Sequence, residues 1–422
     1  MFPGLPPLSV EISMLEAAGG PGGVSARAPV VTGQEDDSLQ AAGWPFFGQI
    51  IAHDITADRS PVGPRADAAE LRNARSPRLD LEFLYGDGPV GSPYLYDRDD
   101  PALFLIADSG WDVPRNGQGV ALIGDPRNDL HLFVNQLHVA LLHAHNGVVR
   151  RLHETGTAGA DMFDQARRTL TWHYQWVVIQ DFLPRLVGQN LVDYVLMGGG
   201  RHYAPCPGEA YLPLEFADAA YRYGHAQIRD TYHLRADGPE LTLFPDLIGF
   251  GPLPGDHHLD LAQIFDLPER PPAQRAKKMD GSLPDSLIRL PVQVTGELTH
   301  QAHKSLAVRD LMRGQATALP SGEAVAAALQ APSLTAEQIG PGWEQGTPLW
   351  FYVLKEAQYL GGGEELGPVG GRIVAEVIIG LVRADPASYL SADPEWQPTL
   401  PHEDRFSLAD VLSFAAAAHE TR

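Results

Sequence analysis

Residues 125–152 read DPRNDLHLFVNQLHVALLHAHNGVVRRL. The apolar residues of this run recur at the spacing of one helix face, namely Leu130, Phe133, Val134, Leu137, Leu141 and Leu142. Asp125 is an N-cap acid, and Pro126 follows it at a position where a helix does not need the missing N–H. We therefore expect a long core helix that opens at Asp125 and runs toward Leu152.

Helical patterns continue on the C-terminal side of this run. A second long helix is predicted over residues 161–183, and Pro184 interrupts its pattern. Shorter patterns, separated by Pro- and Gly-rich connections, lie near residues 216–229, 299–313, 321–330, 348–358, 370–383 and 406–418. No clean set of alternating strands competes, and no fixed-period repeat indicates a solenoid. We expect a mainly α fold with loop-rich connections and little β structure.

The N-terminal part of the chain differs from the rest. Residues 1–40 are rich in Gly, Ala, Pro and acidic residues with little periodicity, so they are predicted to form an extended arm. Residues 41–422 would then form a single domain, in which residues 60–125 are loop-rich. A chain of 422 residues can bury a large core.

Composition excludes several classes of protein. The formal net charge of −22, without a basic stripe, argues against a nucleic-acid surface. Cys206 is the only cysteine, so no intrachain disulfide can form and no cysteine-based zinc or iron–sulfur site is available. No signal-peptide pattern and no run of about 18 apolar residues is present. We expect a cytoplasmic protein without a membrane span; the oligomeric state is not predicted.

One polar pair and one arginine lie at positions that are unfavourable for their charges or polar groups. His53 and Asp54 follow each other in the apolar segment GWPFFGQIIAHDIT, where burial without partners would be costly. They could belong to a functional site. A hydrogen-bonded core histidine beside a helix-end acid is an equally good explanation. Arg127 lies in the first turn of the predicted core helix, where the helix dipole disfavours a cation. That placement suggests a functional task, although a structural salt bridge is an equal explanation.

Three further groups of residues are ambiguous on their chemistry alone. The loop over residues 73–82 alternates oxygen-bearing side chains, as a hard cation requires, but a solvated loop has the same pattern. His138 and His145 share a face of the core helix and could bind a metal, although packing and hydrogen bonding are the simpler explanation. His225 follows Gly224 near a helix end and could ligate a haem or be structural. The sequence carries no hydrolase elbow, zinc-protease motif or P-loop.

In order along the chain, these segments resemble the animal-type haem peroxidase family, also called the peroxidase–cyclooxygenase superfamily, in its compact bacterial form. The resemblance runs from about Trp44 to about Leu390. It implies a helical haem-peroxidase fold. It also implies an enzyme that reduces hydrogen peroxide, oxidises a small organic or halide donor, and takes part in the response to oxidative stress.

The distal part of the family pattern matches Gly48–Gln49, His53–Asp54 and the signature Gly124-Asp125-Pro126-Arg127. The match implies that His53 is the distal histidine, that Arg127 is the distal arginine and that Gln49 lies beside the peroxide or halide pocket. It also implies a calcium site, whose ligands would be Asp54, Ser76, the Arg78 carbonyl, Asp80 and Glu82.

The proximal signature resembles Tyr221-Arg222-Tyr223-Gly224-His225. The match implies that His225 is the axial ligand of the haem iron and that Arg222 contacts a haem propionate. A later segment, residues 306–322, also resembles the family. It places Asp310 where the family usually has an asparagine that hydrogen-bonds the proximal histidine, which would make His225 more imidazolate-like.

Two departures bear on the cofactor and one on the reaction. Mammalian members ester-link haem to carboxylates at positions that here hold Ala52 and Leu130, so we expect non-covalently bound haem b. Fatty-acid dioxygenases of the superfamily carry a radical-forming tyrosine three residues before the proximal histidine, where this chain has Arg222. We therefore favour a peroxidase over a haem-dependent fatty-acid dioxygenase and over a non-catalytic haem-binding protein.

Overall fold

The computed structural model describes residues 1–27, 36–57, 72–156, 161–298 and 300–421. Its longer helices are α1 (Ile12–Gly19), α2 (Trp44–Ile55), α3 (Leu132–Glu154), α4 (Met162–Val177), α5 (Leu306–Ala316), α6 (Gly322–Leu329), α7 (Leu349–Leu360), α8 (Pro368–Ala384) and α9 (Leu408–Glu420). Within these residues no helix is long and apolar enough to cross a membrane. The mainly α prediction is confirmed.

Short elements connect the long helices. The short α-helices are Glu82–Tyr85, Gly88–Gly91, Leu183–Val187, Gln189–Tyr194, Leu214–Ala217, Asp285–Ile288, Val292–Thr295, Ala336–Ile339 and Tyr389–Ala392. The 3-10 helices are Pro93–Leu95, Pro126–Asp129, Ala220–Gln227, Leu261–Gln263 and Gln301–Lys304, and the π-helices are Val178–Phe182 and Val195–Gly199. The region predicted to be loop-rich is residues 60–125, of which residues 60–71 lie outside the described residues. Much of the rest, residues 72–125, is indeed irregular between these short turns.

Strands are few in the part of the chain that the structure describes. Strands β1 (Asp37–Ala41) and β4 (Arg275–Lys277) pair antiparallel, and strands β2 (Thr231–His233) and β3 (Glu240–Thr242) form an antiparallel hairpin. Each sheet has only two strands, so helix packing supplies the core. The buried centre includes α3, which is buried from Leu132 to Val149, and α8.

The predicted core helix is divided where it enters the core. Residues 126–129 form a 3-10 turn, His131 is extended, and the α-helix begins only at Leu132. The cause lies in a distant segment, because Leu132 N–H donates to Leu247 O and Gly249 N–H donates to Leu130 O. A Cβ on Gly249 would lie 1.9 Å from Asp129 O, so this pairing requires glycine. The interruption turns His131 out of the helical register.

Pro184 does not end the second long helix, contrary to the sequence-based expectation. The π-helix Val178–Phe182 follows α4, and helical structure continues to Val187. The carbonyl of Gln180, which a residue at position 184 would normally satisfy, accepts a hydrogen bond from the Arg405 guanidinium instead. An intervening π-turn is a known way to accommodate such an interruption.

The predicted extended arm contains a helix. Residues 12–19 form α1, and Leu15 is 1% exposed, so this part of the arm packs against the rest of the chain. Ser305, the N-cap of α5, donates from its hydroxyl to Gly19 O at the end of α1. Phe2 and Val10, which lie before α1, are buried as well, and their spacing from Leu15 gives no single helical pattern. The division at residue 40 stays a prediction.

Acid stability should depend on His173 in α4. Its side chain is buried: Nδ1–H donates to Thr169 O, and Nε2 accepts from the N–H groups of Thr399 and Leu400. Burial lowers the pKa of His173 from 6.5 to about 4, so the unfolded chain binds this proton more readily. Stability is therefore lost as pH falls from 6.5 toward 4. By pH 5, His173 should remove about 2 kcal/mol from the free energy of unfolding.

The measurement is urea unfolding at pH 7 and pH 5 for the wild type and His173→Asn. We expect the variant to be less stable at pH 7 but to lose less on acidification. The other buried histidines are common to both proteins, so the difference isolates His173. Equal losses in the two proteins would show that His173 takes up its proton in the folded state without penalty.

Candidate active site

One cavity of about 340 Å³ gathers residues that are far apart in the sequence. Helix α2 contributes Gln49 and His53, the 3-10 turn before α3 contributes Arg127, and the Ala220–Gln227 turn contributes Arg222 and His225. The structure therefore brings the predicted distal and proximal residues to the same cavity. Their assigned roles stay predictions.

His53 belongs to a buried chain of hydrogen bonds. Its Nδ1 lies 2.6 Å from Asn128 Oδ1, and Asn128 Nδ2 lies 3.0 Å from His138 Nδ1. With the amide oriented in this way, His53 Nδ1 carries the proton and Nε2 is left as an acceptor. His138 thus has a supporting role rather than a metal-binding one. The sequence analysis missed Asn128, although it directly follows Arg127 in the distal signature.

The electrostatics of the cavity keep His53 neutral. Burial, followed by the charge of Arg127, lowers the pKa of His53 from 6.5 to about 4, although the Asn128 hydrogen bond opposes the shift. The imidazole is therefore unprotonated at neutral pH. A neutral histidine whose second nitrogen is fixed by an amide can accept a proton from a small molecule bound in the cavity.

Arg127 is held on two sides. Its Nε and Nη2 bind the carboxylate of Asp125 at distances between 2.6 and 3.2 Å, and Nη2 also donates to the carbonyl oxygens of His53 and Thr56. Asp125 also pairs with Arg75, at 2.7 Å. Burial alone would raise the pKa of Asp125, but the hydrogen bonds and charges of Arg127 and Arg75 lower it strongly. Arg127 Nη1 has no hydrogen-bond partner within the described ranges.

His131 is a cavity residue that the sequence analysis did not single out. Its Nε2 lies 3.0 Å from Gln49 Oε1, and burial lowers its pKa to about 3. If Nε2 carries the proton, this N–H donates a hydrogen bond to Gln49 Oε1, and the amide N–H₂ of Gln49 is left as a donor. His131 reaches the cavity because the helix is interrupted before Leu132. The periodicity of an unbroken helix gave no signal for this placement.

On the opposite side, His225 is tied to a carboxylate. Its Nδ1 lies 2.6 Å from Asp310 Oδ2, and Arg222 Nη1 lies 3.0 Å from Asp310 Oδ1. Asp310 is fully buried in α5, so one carboxylate fixes both the imidazole and the guanidinium. Arg222 also pairs with Asp218, at 3.5 Å. The His225 side chain is 31% exposed and lines the cavity.

The remaining walls of the cavity are mainly apolar. They include Phe46, Phe216, Leu243, Phe244, Leu287, Leu290 and Val294. Ala52 and Leu130 also line the cavity, at the positions where the resemblance implies ester links in mammalian relatives. Among the described residues, none of those lining it is Asp, Glu, Met or Cys. A flat, apolar cofactor fits these walls, and the cavity supplies no carboxylate or sulfur for a covalent link.

The candidate cation loop, residues 73–82, contacts Asp54, which follows His53 in α2. Asp54 is fully buried; its Oδ2 accepts from Leu81 N–H, and its Oδ1 has no partner among the described residues. Burial and then the charge of Asp80 raise the pKa of Asp54, while burial raises the pKa of Asp80 to about 6. A buried and a half-buried carboxylate whose charges repel each other are a suitable environment for a hard cation.

The other predicted calcium ligands are less well oriented. Glu82 forms an ion pair with Arg75, at 2.8 Å, and accepts from Ser76 N–H, so its carboxylate already has partners. Arg78 N–H donates to Ser76 O within the same loop. Within the described part of the chain, no cluster of three or more His, Cys, Asp or Glu residues has metal-site geometry. Support for a cation therefore rests on Asp54 and Asp80.

Comparison with known proteins identifies the class. The sequence profile described as animal haem peroxidase matches residues 63–321, which is more than half of the chain. The chain belongs to the animal haem peroxidase family. The matched range contains Arg127, His225 and Asp310 but begins after His53.

Individual relatives are distant. Chorion peroxidase of Drosophila melanogaster is 28% identical over 134 residues, which cover 30% of this chain and 17% of that protein. Human lactoperoxidase is 25% identical over 166 residues, which cover 38% of this chain and 22% of that protein. The match therefore spans less than a quarter of either relative's length.

Solved structures support the fold. Peroxidase A from Dictyostelium discoideum aligns over 98% of this chain and 89% of its own, with a TM-score of 0.70 and 15% identity. Fatty acid alpha-dioxygenase from Oryza sativa aligns over 97% of this chain and 76% of its own, with a TM-score of 0.65 and 15% identity. At this identity the likeness concerns architecture alone.

Proposed function

We propose that this protein is a haem-dependent peroxidase that reduces hydrogen peroxide and oxidises a small organic or halide donor. The observation that carries the proposal is the pair of oriented imidazoles on one cavity: His53 is fixed by Asn128, and His225 is fixed by Asp310. Family membership supports the same activity. A cytoplasmic location and a part in the response to oxidative stress belong to this proposal.

Haem b is the proposed cofactor, bound without a covalent link. His225 Nε2 would hold the iron, because Nδ1 is engaged by Asp310 and a carboxylate partner makes an imidazole a stronger ligand. The apolar walls would contact the macrocycle, and Arg222 would pair with a propionate. The absence of Asp and Glu among the described lining residues supports the non-covalent form. When bound, haem would supply the redox-active iron at which peroxide reacts.

His53 is the proposed acid–base group. Nε2 would take a proton from one oxygen of hydrogen peroxide and return it to the departing oxygen as water forms. Asn128 would keep the other nitrogen protonated, which leaves Nε2 as the acceptor of a residue that lines the cavity. Arg127 Nη1 and the Gln49 amide would donate hydrogen bonds to the oxygen that gains negative charge.

The test is the absorption spectrum of the haem-loaded wild-type protein before and after addition of hydrogen peroxide, followed by addition of a phenol or iodide. We expect a Soret shift within seconds of peroxide addition and its reversal by the donor. Stoichiometric haem that ignores peroxide would favour a binding protein, and failure to take up haem would overturn the proposal.

A fatty-acid dioxygenase is the second candidate, because dioxygenase structures share the fold. The position three residues before His225 holds Arg222, whose guanidinium pairs with Asp310. Tyr221 and Tyr223 each lie one residue away from that position, and the Tyr223 hydroxyl lies near Gly48. We therefore favour the peroxidase. Oxygen consumption with a fatty acid, in the absence of peroxide, would reverse this preference.

Calcium is the second proposed cofactor, with Asp54, Ser76, the Arg78 carbonyl, Asp80 and Glu82 as its ligands. The unpaired Asp54 Oδ1 and the raised pKa values of Asp54 and Asp80 support a cation between them. Glu82 would have to leave Arg75 in order to bind it. Because Asp54 follows His53 in the chain, the cation would fix the end of α2 from which His53 projects.

Calcium should raise the thermal stability of the wild type but not of Asp80→Asn. At about 100 times its Kd, a ligand that binds only the folded state adds about 2.7 kcal/mol to the free energy of unfolding. The asparagine keeps an oxygen for Glu82 N–H but removes a repelling charge, so without calcium this variant should be at least as stable as the wild type.

The measurement is the melting temperature of each protein with a calcium chelator and with excess calcium. Asp108→Asn is the matched control, because Asp108 is exposed and lies outside the loop. It should respond to calcium as the wild type does. An identical calcium response of Asp80→Asn and the wild type would rule out Asp80 as a ligand.

A further inference from the structure

A second, larger cavity adjoins the candidate active site. Its volume is about 690 Å³, and it shares the lining residues Arg222, Leu306 and Arg309 with the cavity that holds His53 and His225. A volume in this range suits a small organic ligand. Residues of α1, α5 and the segment before α5 enclose it.

The lining of the second cavity combines apolar and cationic side chains. Ile12, Leu15, Leu298, Leu306, Met312 and Ala316 supply apolar surface. The cationic or titratable groups are Arg222, Arg309, Arg313, His300 and His303, against a single acid, Glu16. Positive lining is notable in a chain whose formal net charge is −22.

The three arginines differ in how their charges are compensated. Arg222 pairs with Asp218 and Asp310, and Arg313 pairs with Asp218. Arg309 is half-buried, and its guanidinium makes one hydrogen bond within the described residues, from Nε to His303 O at 2.6 Å. The ion pairs of the other two arginines do not include Arg309, although the charge of the neighbouring Asp310 carboxylate acts on it. A half-buried cation that is not directly paired with an anion costs free energy.

We propose that the second cavity binds an organic carboxylate with an apolar body, and that Arg309 holds its carboxylate. Arg309 lines both cavities, so the head group lies at their junction while the body extends between α1 and α5 along Leu15 and Met312. A guanidinium holds a carboxylate through two parallel hydrogen bonds, which a half-buried position strengthens. This inference does not depend on the peroxide chemistry proposed above.

Haem propionates are carboxylates as well, so the test must separate them from a free acid. The probe is 4-phenylbutyrate, its neutral counterpart is 4-phenylbutan-1-ol, and binding to the haem-loaded protein is measured by isothermal titration calorimetry. We expect the acid to bind with one site per chain and the alcohol to bind at least about tenfold more weakly, because it lacks the charge-assisted hydrogen bonds.

Arg309→Met keeps an apolar stem without the charge and should weaken binding of the acid by about tenfold or more. Arg289→Met is the control, because Arg289 is exposed, pairs with Asp285 and lines neither cavity. It should bind like the wild type. A Met312→Trp variant tests the apolar half separately: filling that space should weaken the acid and the alcohol alike.

Three results would overturn the proposal. One is that neither ligand binds the haem-loaded protein. Another is that the acid binds only the haem-free protein and is displaced by haem one for one, which would assign the arginines to propionates alone. The third is unchanged affinity of the acid in Arg309→Met. The peroxide response of the wild type is read separately, so failure here leaves the peroxidase proposal testable on its own.

Discussion

Replacing His53 by leucine should lower the second-order rate constant for the reaction of the haem-loaded protein with hydrogen peroxide by about 10³-fold, the usual size of a lost acid–base contribution. Leucine fills the space without a nitrogen. The haem content should not change, because His53 is not the proposed iron ligand. The rate is read from the Soret change in a stopped-flow instrument.

A matched control separates chemistry from general damage. His153→Leu removes an exposed histidine near the end of α3 and should react at the wild-type rate. The rate constant of Asn128→Leu should lie between those of His53→Leu and His153→Leu. This variant leaves His53 in place but removes the hydrogen bond that fixes its tautomer. A wild-type rate in His53→Leu would assign the proton transfer to another group, and His131 would then be the nearest candidate in the cavity.

Replacing His225 by glycine should weaken haem binding by more than about 100-fold, since loss of an outer partner of a metal ligand alone costs roughly 10–100-fold. The change leaves a hole beside Asp310, which would still present its carboxylate. Added imidazole should fill this hole, restore haem binding and return the Soret band close to its wild-type position. The measurement is a haem titration with and without imidazole.

Restoration of haem binding by imidazole distinguishes loss of the axial ligand from loss of the fold. A variant that fails to bind haem because it has lost its fold would not respond to imidazole, whereas far-ultraviolet circular dichroism should show wild-type helicity in His225→Gly. His153→Gly again serves as the control for removal of a histidine side chain. Unchanged haem affinity in His225→Gly would exclude His225 as the axial ligand.

Periodicity predicted most of the helices well, because a buried helix in a large core must present apolar residues at helical spacing. Helix α8, for example, is predicted near residues 370–383 and spans Pro368–Ala384. Helix α1 was missed because a short helix with one or two buried side chains leaves almost no periodic signal. The break before Leu132 was missed because a distant segment, around Gly249, causes it.

The residues of the candidate site were likewise only partly predictable from the sequence. Resemblance to the family pattern selected His53, Arg127, His225 and Asp310. The first three line one cavity in the structure, and Asp310 lies within hydrogen-bond distance of His225. The partners that orient them are not adjacent in sequence: Asn128 is 75 residues from His53, and Asp310 is 85 residues from His225. Such contacts depend on tertiary packing. Asp310 could be found only through resemblance to a family, and His131 could not be found at all.

Arg127 carries a consequence for which substitutions the protein can tolerate at this position. The same guanidinium that faces the cavity closes the end of α2, where it bonds to the carbonyl oxygens of His53 and Thr56. Lysine offers a single nitrogen and cannot replace a planar group that bonds in several directions at once. Loss of this arginine would therefore disturb the helix end and the cavity wall at the same time.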